Sequence, residues 1–143
     1  MQVLITYESR GGRTRRAAEA VAAAIRALGF EAIVKTFKEV TAAEVAQSDA
    51  IAVGTWVEGF LFFGVGPAKG TLEGIGRLPA LGGKPTGVFC TYALNPRDTL
   101  PTLRKALETK GAKVVGENSS HRSHPDQGAD ELAKSICGSL GGS

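Results

Sequence analysis

Two kinds of hydrophobic pattern alternate along this chain of 143 residues. Short runs of consecutive apolar, often β-branched residues are typical of strands that are covered on both faces. Between them, apolar residues recur every three or four positions, as on one face of a helix. The runs predict five strands, at residues 3–7, 32–34, 50–54, 86–91 and 113–116. The helical spacing predicts helices at residues 17–28, after Thr41, at 68–75, after Asp98 and at 129–140.

Local signals indicate where two of these helices begin. Thr41 and Glu44 have the spacing of a capping box, in which each residue bonds to the backbone of the other. Asp98 is placed to cap the fourth helix with its carboxylate. Residues 55–85 contain many glycines and predict little regular structure beyond the short helix at 68–75.

Alternating strands and helices predict an α/β fold, a doubly wound five-stranded parallel sheet with helices on both faces. The strand order 2-1-3-4-5 suits five strands in a single domain over residues 1–143. In such sheets, ligands bind beyond the carboxyl ends of the strands, between strands 1 and 3, where the winding direction changes. The loops that follow the strands are therefore the first candidates for a site.

The composition is that of a soluble globular protein, with 43% hydrophobic and 22% charged residues. No apolar run approaches the roughly 18 residues of a membrane span, and the first residues do not resemble a signal peptide. The two cysteines, Cys90 and Cys137, are then expected to be reduced thiols. We therefore expect a cytoplasmic protein without a membrane partner.

The positive charge is concentrated near the amino terminus. The net charge is +3, and residues 8–19 hold four arginines against two glutamates. Outside this window the balance is almost neutral, which argues against a broad nucleic-acid or membrane surface. The local excess of arginine indicates a site for a small anion instead.

The arginine-rich window contains the loop after the first strand, Ser9-Arg10-Gly11-Gly12-Arg13-Thr14. Hydroxyl groups, two glycines and the free N–H groups of a helix N-terminus together supply hydrogen bonds to an anion. The sequence equally allows a tight turn that Thr14 caps and that carries solvated arginines. The spacing alone leaves phosphate binding and this structural role open.

The only tryptophan and one of the two tyrosines follow neighbouring strands. Trp56 comes just after the third strand and Tyr92 just after the fourth, so both are expected at the same edge of the sheet. Planar side chains there can stack on a flat ring, or they can simply cover the end of the sheet. Together with the anion loop, they outline a phosphate socket beside an aromatic slot.

The segment Val3-Leu4-Ile5-Thr6-Tyr7-Glu8-Ser9-Arg10-Gly11-Gly12-Arg13-Thr14 resembles the start of a flavodoxin. That family has a Ser/Thr-x-Thr-Gly-x-Thr loop around the phosphate of FMN. Three positions of this loop match, and Gly11 stands in place of the middle threonine. Residues 49–56 are similar to the third strand and the first flavin loop of the family. The resemblance implies a flavodoxin-like fold and non-covalently bound FMN.

The resemblance also implies which residues hold the cofactor. Residues 9–14 would bind the phosphate with Thr55 nearby, and Trp56 and Tyr92 would flank the isoalloxazine ring. The backbone of the two loops that carry these aromatic residues would reach the polar edge of the ring. The expected set is Ser9, Arg10, Gly11, Gly12, Arg13, Thr14, Thr55, Trp56, Val57, Glu58, Gly59, Thr91, Tyr92 and Asn95.

Two further expectations follow from the resemblance. In the family, a peptide beside the flavin flips on reduction, and we expect this at Glu58-Gly59, because glycine tolerates both peptide orientations. Flavodoxins are typically acidic, whereas this chain is slightly basic, with Arg10 and Arg13 in the loop. Fewer acidic neighbours predict a second reduction potential above the family's usual range.

Other candidate residues carry weaker signals. The run Phe60–Phe63 is interpreted as rings packed under the loop rather than as a collar around the flavin. His121 and His124, expected in the loop after the last strand, are interpreted as solvated, since no metal-ligand spacing emerges. Cys90 and Cys137 are expected in the core, and no catalytic residue is predicted.

Three functions stay open at this level. The leading one is an electron carrier, a monomer or weak dimer, that passes single electrons between a reductase and an acceptor. The second is an FMN-dependent NAD(P)H:quinone-type reductase, although no nicotinamide motif is recognisable. The third is a flavodoxin-fold binding module that has lost FMN, because fold does not fix function.

Overall fold

The computed structural model describes residues 1–9, 11–60, 63–93, 96 and 98–140, without the side chains of residues 58–60 and 63–65. Its elements are β1 (Gln2–Tyr7), α1 (Arg13–Ala27), β2 (Glu31–Thr36), α2 (Ala42–Gln47), β3 (Ala50–Phe60), β4 (Phe63–Pro67), α3 (Lys69–Gly76), β5 (Pro85–Tyr92), α4 (Thr99–Thr109), β6 (Lys113–His121) and α5 (Ala129–Gly138). Each predicted strand and helix is present at or near its expected place. Among the described helices, none is long and apolar enough to cross a membrane.

Five parallel strands form the centre of the fold, in the order β2-β1-β3-β5-β6. Leu4 of β1 stands between Ile33 of β2 and Ile51 of β3. This is the predicted order 2-1-3-4-5, with β5 and β6 as the fourth and fifth parallel strands. The chain changes its winding direction at β1, so the carboxyl ends of β1 and β3 form the edge where ligands bind in such sheets.

A sixth strand departs from the prediction that residues 55–85 hold only a short helix. β3 continues past the parallel sheet to Phe60, and β4 returns antiparallel to it. Glu58 pairs with Gly66, and the register shifts between Glu58 and Phe60, as at a β-bulge. Glycine is depleted in strands, whereas aromatic residues are enriched in them. The many glycines of this segment are therefore the reason why the sequence did not predict the hairpin.

Alternate side chains along the strands point to opposite faces of the sheet and build two separate cores. On the first face, Ile5, Ala52 and Phe89 pack with buried residues of α1 and α5. On the second face, Leu4 and Val53 pack with buried residues of α2, α3 and α4. The central strands are therefore covered on both sides, which explains their uninterrupted apolar runs.

The helix ends confirm one predicted cap and correct another. The Glu44 N–H donates to Thr41 Oγ1 at 3.1 Å, and the Thr41 N–H donates to Glu44 Oε1 at 2.9 Å, which completes the capping box. Asp98 stands at the N-cap of α4, but its side chain makes no capping hydrogen bond, so that prediction is wrong. Its ψ of 15° is far from the extended backbone that capping requires.

β6 extends to His121, well beyond the predicted end at residue 116. The added residues are mostly polar, so the apolar pattern did not reveal them. They pair with β5 in parallel register, with Tyr92 opposite His121. The extension places His121 at the carboxyl edge of the sheet rather than in the loop where it was predicted.

Candidate functional site

The loop between β1 and α1 presents backbone N–H groups at the carboxyl edge of the sheet. Gly11 and Gly12 have φ values of 74° and 84°, in the left-handed region that glycine adopts without strain. Gly12 is the N-cap of α1, and the Ser9 hydroxyl accepts a hydrogen bond from the Arg15 N–H at 3.2 Å. The start of α1 thus offers N–H groups and the positive end of a helix dipole to an anion.

Arginine fills the first turn of α1 in opposition to the helix dipole. Arg13, Arg15 and Arg16 are exposed there, and the turn contains no acidic residue. The hydrogen bond from Arg15 Nε to Glu19, at 3.1 Å, raises the pKa of Arg15. Helix stability does not explain three cations at this end, because the dipole disfavours them. An anion bound at the loop would explain them.

A cavity of about 370 Å³, the aromatic slot, opens at the carboxyl ends of β3 and β5, beside this loop. Trp56 and Tyr92, both half-buried, form two of its walls. Its volume lies within the range of about 300–1,000 Å³ in which proteins hold small ligands. The described residues that line it are Gly11, Arg13, Trp56, Val57, Thr91, Tyr92, Ala93 and Arg122.

The Tyr92 wall of the slot is held by the end of β6. The His121 ring stands edge-on to Tyr92, with 5.5 Å between the ring centroids. His121 Nδ1 accepts the Ser123 N–H at 3.2 Å, so Nε2 carries the proton and donates to the Ala93 carbonyl at 2.8 Å. The Arg122 N–H donates to the Tyr92 carbonyl, also at 2.8 Å. His121 is therefore a structural part of this wall.

The Trp56 wall is held from behind by a chain of buried hydroxyl groups. Thr71 Oγ1 donates to the Glu8 carboxylate at 2.9 Å and lies 2.7 Å from Thr55 Oγ1. Thr55 Oγ1 accepts the Ala68 N–H at 3.1 Å, and the same N–H donates to the Trp56 carbonyl at 3.2 Å. The chain joins the ends of β1 and α3 to β3, so it fixes the base of the hairpin that carries Trp56.

The structure brings part of the predicted set together. Six predicted residues line the slot, namely Gly11, Arg13, Trp56, Val57, Thr91 and Tyr92. Ser9 lines a neighbouring cavity of about 520 Å³. Gly12, Thr14 and Thr55 are close to the slot without lining it. Glu58 and Gly59 continue β3, and the side chain of Glu58 lies outside the described part of the chain. Arg10 and Asn95 lie outside the described residues altogether.

The Thr14 side chain does not cap α1. Its side chain is fully buried, and its Oγ1 lies 2.9 Å from that of Thr91. The cap position of α1 belongs to Gly12, so the alternative in which Thr14 caps the helix is wrong. The pair of hydroxyls instead joins the first turn of α1 to β5.

Sequence reasoning missed Arg122. It follows β6 directly, and the polar residues at the end of β6 concealed how far the strand extends. With the full strand, parallel register alone places residue 122 beside the end of β5. The length of the neighbouring strand was thus the signal that could have revealed it.

The described side chains supply no thiol nucleophile and no metal site. Burial raises the pKa of the Cys90 thiol to about 12 and also raises that of Cys137. Both thiols stay protonated at neutral pH and pack in the core. Within the described residues, no three His, Cys, Asp or Glu side chains are grouped to hold a metal ion.

Comparison with known proteins decides the family. The profile of a family described as a flavodoxin domain matches residues 4–120, which is most of the chain. The chain belongs to the flavodoxin family. The resemblance seen in the first loop is thereby confirmed. No curated protein sequence matches this flavodoxin.

Solved flavodoxins share the fold over nearly the whole chain. The two-electron reduced flavodoxin of Megasphaera elsdenii is 24% identical with a TM-score of 0.78, covering 92% of this chain and 98% of its own. A flavodoxin from the domain Archaea is 20% identical with a TM-score of 0.83, covering 99% of each chain. Rubredoxin oxygen:oxidoreductase from Desulfovibrio gigas is 19% identical with a TM-score of 0.77; the match covers 98% of this chain and 36% of that one.

Membership in the flavodoxin family implies FMN as the cofactor, and the residues of the site fit this group. The N–H groups at the start of α1, together with Arg13, match the charge and the hydrogen-bond acceptors of a phosphate. Trp56 and Tyr92 offer flat surfaces to a ring. Gly11 and Arg13 also line the slot, so one molecule with a phosphate and a flat ring can reach both parts.

Proposed function

We propose that this flavodoxin binds FMN non-covalently and passes single electrons between a reductase and an acceptor protein. One observation carries the proposal. The arginine-rich start of α1 and the aromatic slot meet at one edge of the sheet, where Gly11 and Arg13 belong to both. A site of this kind holds a phosphorylated ring and keeps it close to the protein surface.

Each part of the site has its own role in this proposal. The loop of residues 9–14 and the first N–H groups of α1 bind the phosphate, close to Thr55. Trp56 and Tyr92 cover the ring and exclude water from it. Bound FMN supplies the redox chemistry, and the protein sets the potentials at which electrons enter and leave.

The backbone beside the aromatic residues holds the polar edge of the ring in the same proposal. Residues 57–59 follow Trp56 along β3, and residues 91–93 reach the carboxyl edge of the sheet at the end of β5. Their N–H and C=O groups can bond to ring nitrogens and oxygens, as each non-proline residue carries one donor and one acceptor. We expect the carrier to work in the cytoplasm, since its cysteines are free thiols.

Anaerobic titration of the FMN-loaded protein separates a carrier from a reductase. With dithionite, we expect reduction in two one-electron steps. With NADH or NADPH alone, we expect the protein to stay oxidised, because a carrier depends on a separate reductase. The second potential should lie above the usual range of acidic flavodoxins, since the described slot lining contains two arginines and no carboxylate.

The opposite results identify the other functions. Rapid bleaching of the flavin by NADH or NADPH alone, followed by turnover of a quinone, would contradict the carrier and indicate a reductase. A very low second potential would contradict the expected effect of the arginines.

A further inference from the structure

Arg122 lines the aromatic slot without belonging to the phosphate loop. Arg13 stands at the β1 side of the slot, whereas Arg122 follows β6, at the other side. We propose that Arg122 is a second cation of the cofactor site, which stabilises fully reduced FMN over oxidised FMN. This inference rests on the proposed binding of FMN, and it assigns to one residue a preference for one redox state.

The backbone of Arg122 is fixed at the Tyr92 wall. Its N–H donates to the Tyr92 carbonyl at 2.8 Å, just past the register pair of Tyr92 and His121. His121 in turn holds the Ala93 carbonyl at 2.8 Å and packs edge-on against the Tyr92 ring. A side chain that leaves the backbone here starts beside the aromatic wall, with β3 and β5 between it and the loop after β1.

The charge of Arg122 is available to a ligand. Within the described part of the chain, no carboxylate forms an ion pair with it. Among the described residues that line the slot, Arg13 is the other charged one, and none is acidic. The Arg122 side chain is exposed, so solvent screens part of its interaction with charge in the slot.

The two redox states of the ring differ in charge. Uptake of two electrons and one proton leaves the flavin ring with one negative charge, while the oxidised ring is neutral. A cation beside the ring therefore favours the reduced state, whereas a cation at the phosphate favours both states equally. An opposite charge within about 4–6 Å shifts such an equilibrium by about 10-fold or more, and solvent screening keeps an exposed arginine near the lower value.

The test compares Arg122→Gln with Arg122→Lys and with Arg77→Gln, all loaded with FMN. Arg77 is exposed and lines the neighbouring cavity instead of the slot, so its loss changes the net charge equally. We expect Arg122→Gln to weaken the binding of reduced relative to oxidised FMN by about tenfold, which lowers the second one-electron potential by about 59 mV. Arg122→Lys and Arg77→Gln should keep the wild-type values. Dissociation constants from flavin fluorescence and a redox titration measure both quantities.

Two results would overturn the inference and separate it from the proposed function. If Arg122→Gln weakens oxidised and reduced FMN equally, or changes neither, Arg122 has no preference for a redox state while FMN binding stands. If the wild-type protein fails to retain FMN, the inference and the proposed function both fail.

Discussion

At the scale of single residues, buried hydroxyl groups decide how the site is held. The flavodoxin resemblance implies that Thr14 belongs to the phosphate loop and that Thr55 lies nearby, and both side chains are buried and paired with Thr91 and Thr71. A buried hydroxyl without a partner costs about 1–3 kcal/mol, so such pairs form whenever the fold allows them. In our proposal these threonines hold the walls of the site, and backbone N–H groups and arginine bind the anion.

Replacing Thr71 with valine tests the hydroxyl chain behind Trp56. Valine has nearly the same shape, but Glu8 and Thr55 each lose a hydrogen-bond partner. We expect the free energy of unfolding to fall by about 1–2 kcal/mol and the affinity for FMN to fall by about fivefold. Denaturant unfolding and flavin fluorescence titration measure these changes.

The matched control for this variant is Thr71→Ser, which keeps the hydroxyl and loses one methyl group. The serine variant should hold FMN as tightly as the wild type. If both variants lose the same affinity, the packing of the methyl group rather than the hydrogen bond positions Trp56.

The sequence predicted the aromatic residues of the slot but not all of its charge. Trp56 and Tyr92 follow strands with clear apolar runs, so their place at the sheet edge could be inferred from the order of strands alone. Arg122 follows β6, a strand at the end of the parallel order whose last residues are polar and mostly only partly buried or exposed. The hydrophobic pattern does not show how far β6 extends. The position of Arg122 follows only from the register between β5 and β6.

At the scale of elements, the β3–β4 hairpin is the main departure from a simple alternation of strands and helices. A parallel strand normally ends at the sheet edge, but β3 continues and finds an antiparallel partner in β4. Pairing between the two strands satisfies backbone groups that the parallel sheet no longer reaches. The register shift between Glu58 and Phe60 leaves Gly59 at an irregular position of the ladder, beside the slot residue Val57.

Gly59 is the place where we expect the backbone to respond to the redox state of FMN. A residue at a bulge is not held by regular ladder bonds, and glycine allows both orientations of the peptide before it. Gly59→Ala should narrow the gap between the two one-electron potentials by about 59 mV, a tenfold change in the relative stability of the redox states. A redox titration of the FMN-loaded variant measures the gap.

Gly66 provides the control on the facing strand of the same hairpin. It pairs with Glu58, and among the described atoms none lies within 4 Å of a Cβ placed on it. Gly66→Ala should therefore leave both potentials unchanged. An unchanged gap in Gly59→Ala would mean that the responding peptide lies elsewhere.

At the scale of the whole molecule, the fold follows from the alternation of apolar runs and helical spacing. Right-handed crossovers leave few topologies for such a chain, and the observed parallel order places the change of winding direction at β1. The first turn of α1, directly after that loop, then carries three of the four arginines in the basic window. Architecture and charge therefore converge on the same edge of the sheet.

The central claim is that this edge binds FMN, and a visible absorbance spectrum tests it most directly. The protein is purified without added cofactor, incubated with FMN, and desalted before a second spectrum is recorded. We predict that the near-ultraviolet and blue bands of oxidised flavin survive desalting, and that the fluorescence of Trp56 decreases as FMN binds. A colourless protein that also fails to retain added FMN would contradict the account and leave only the fold.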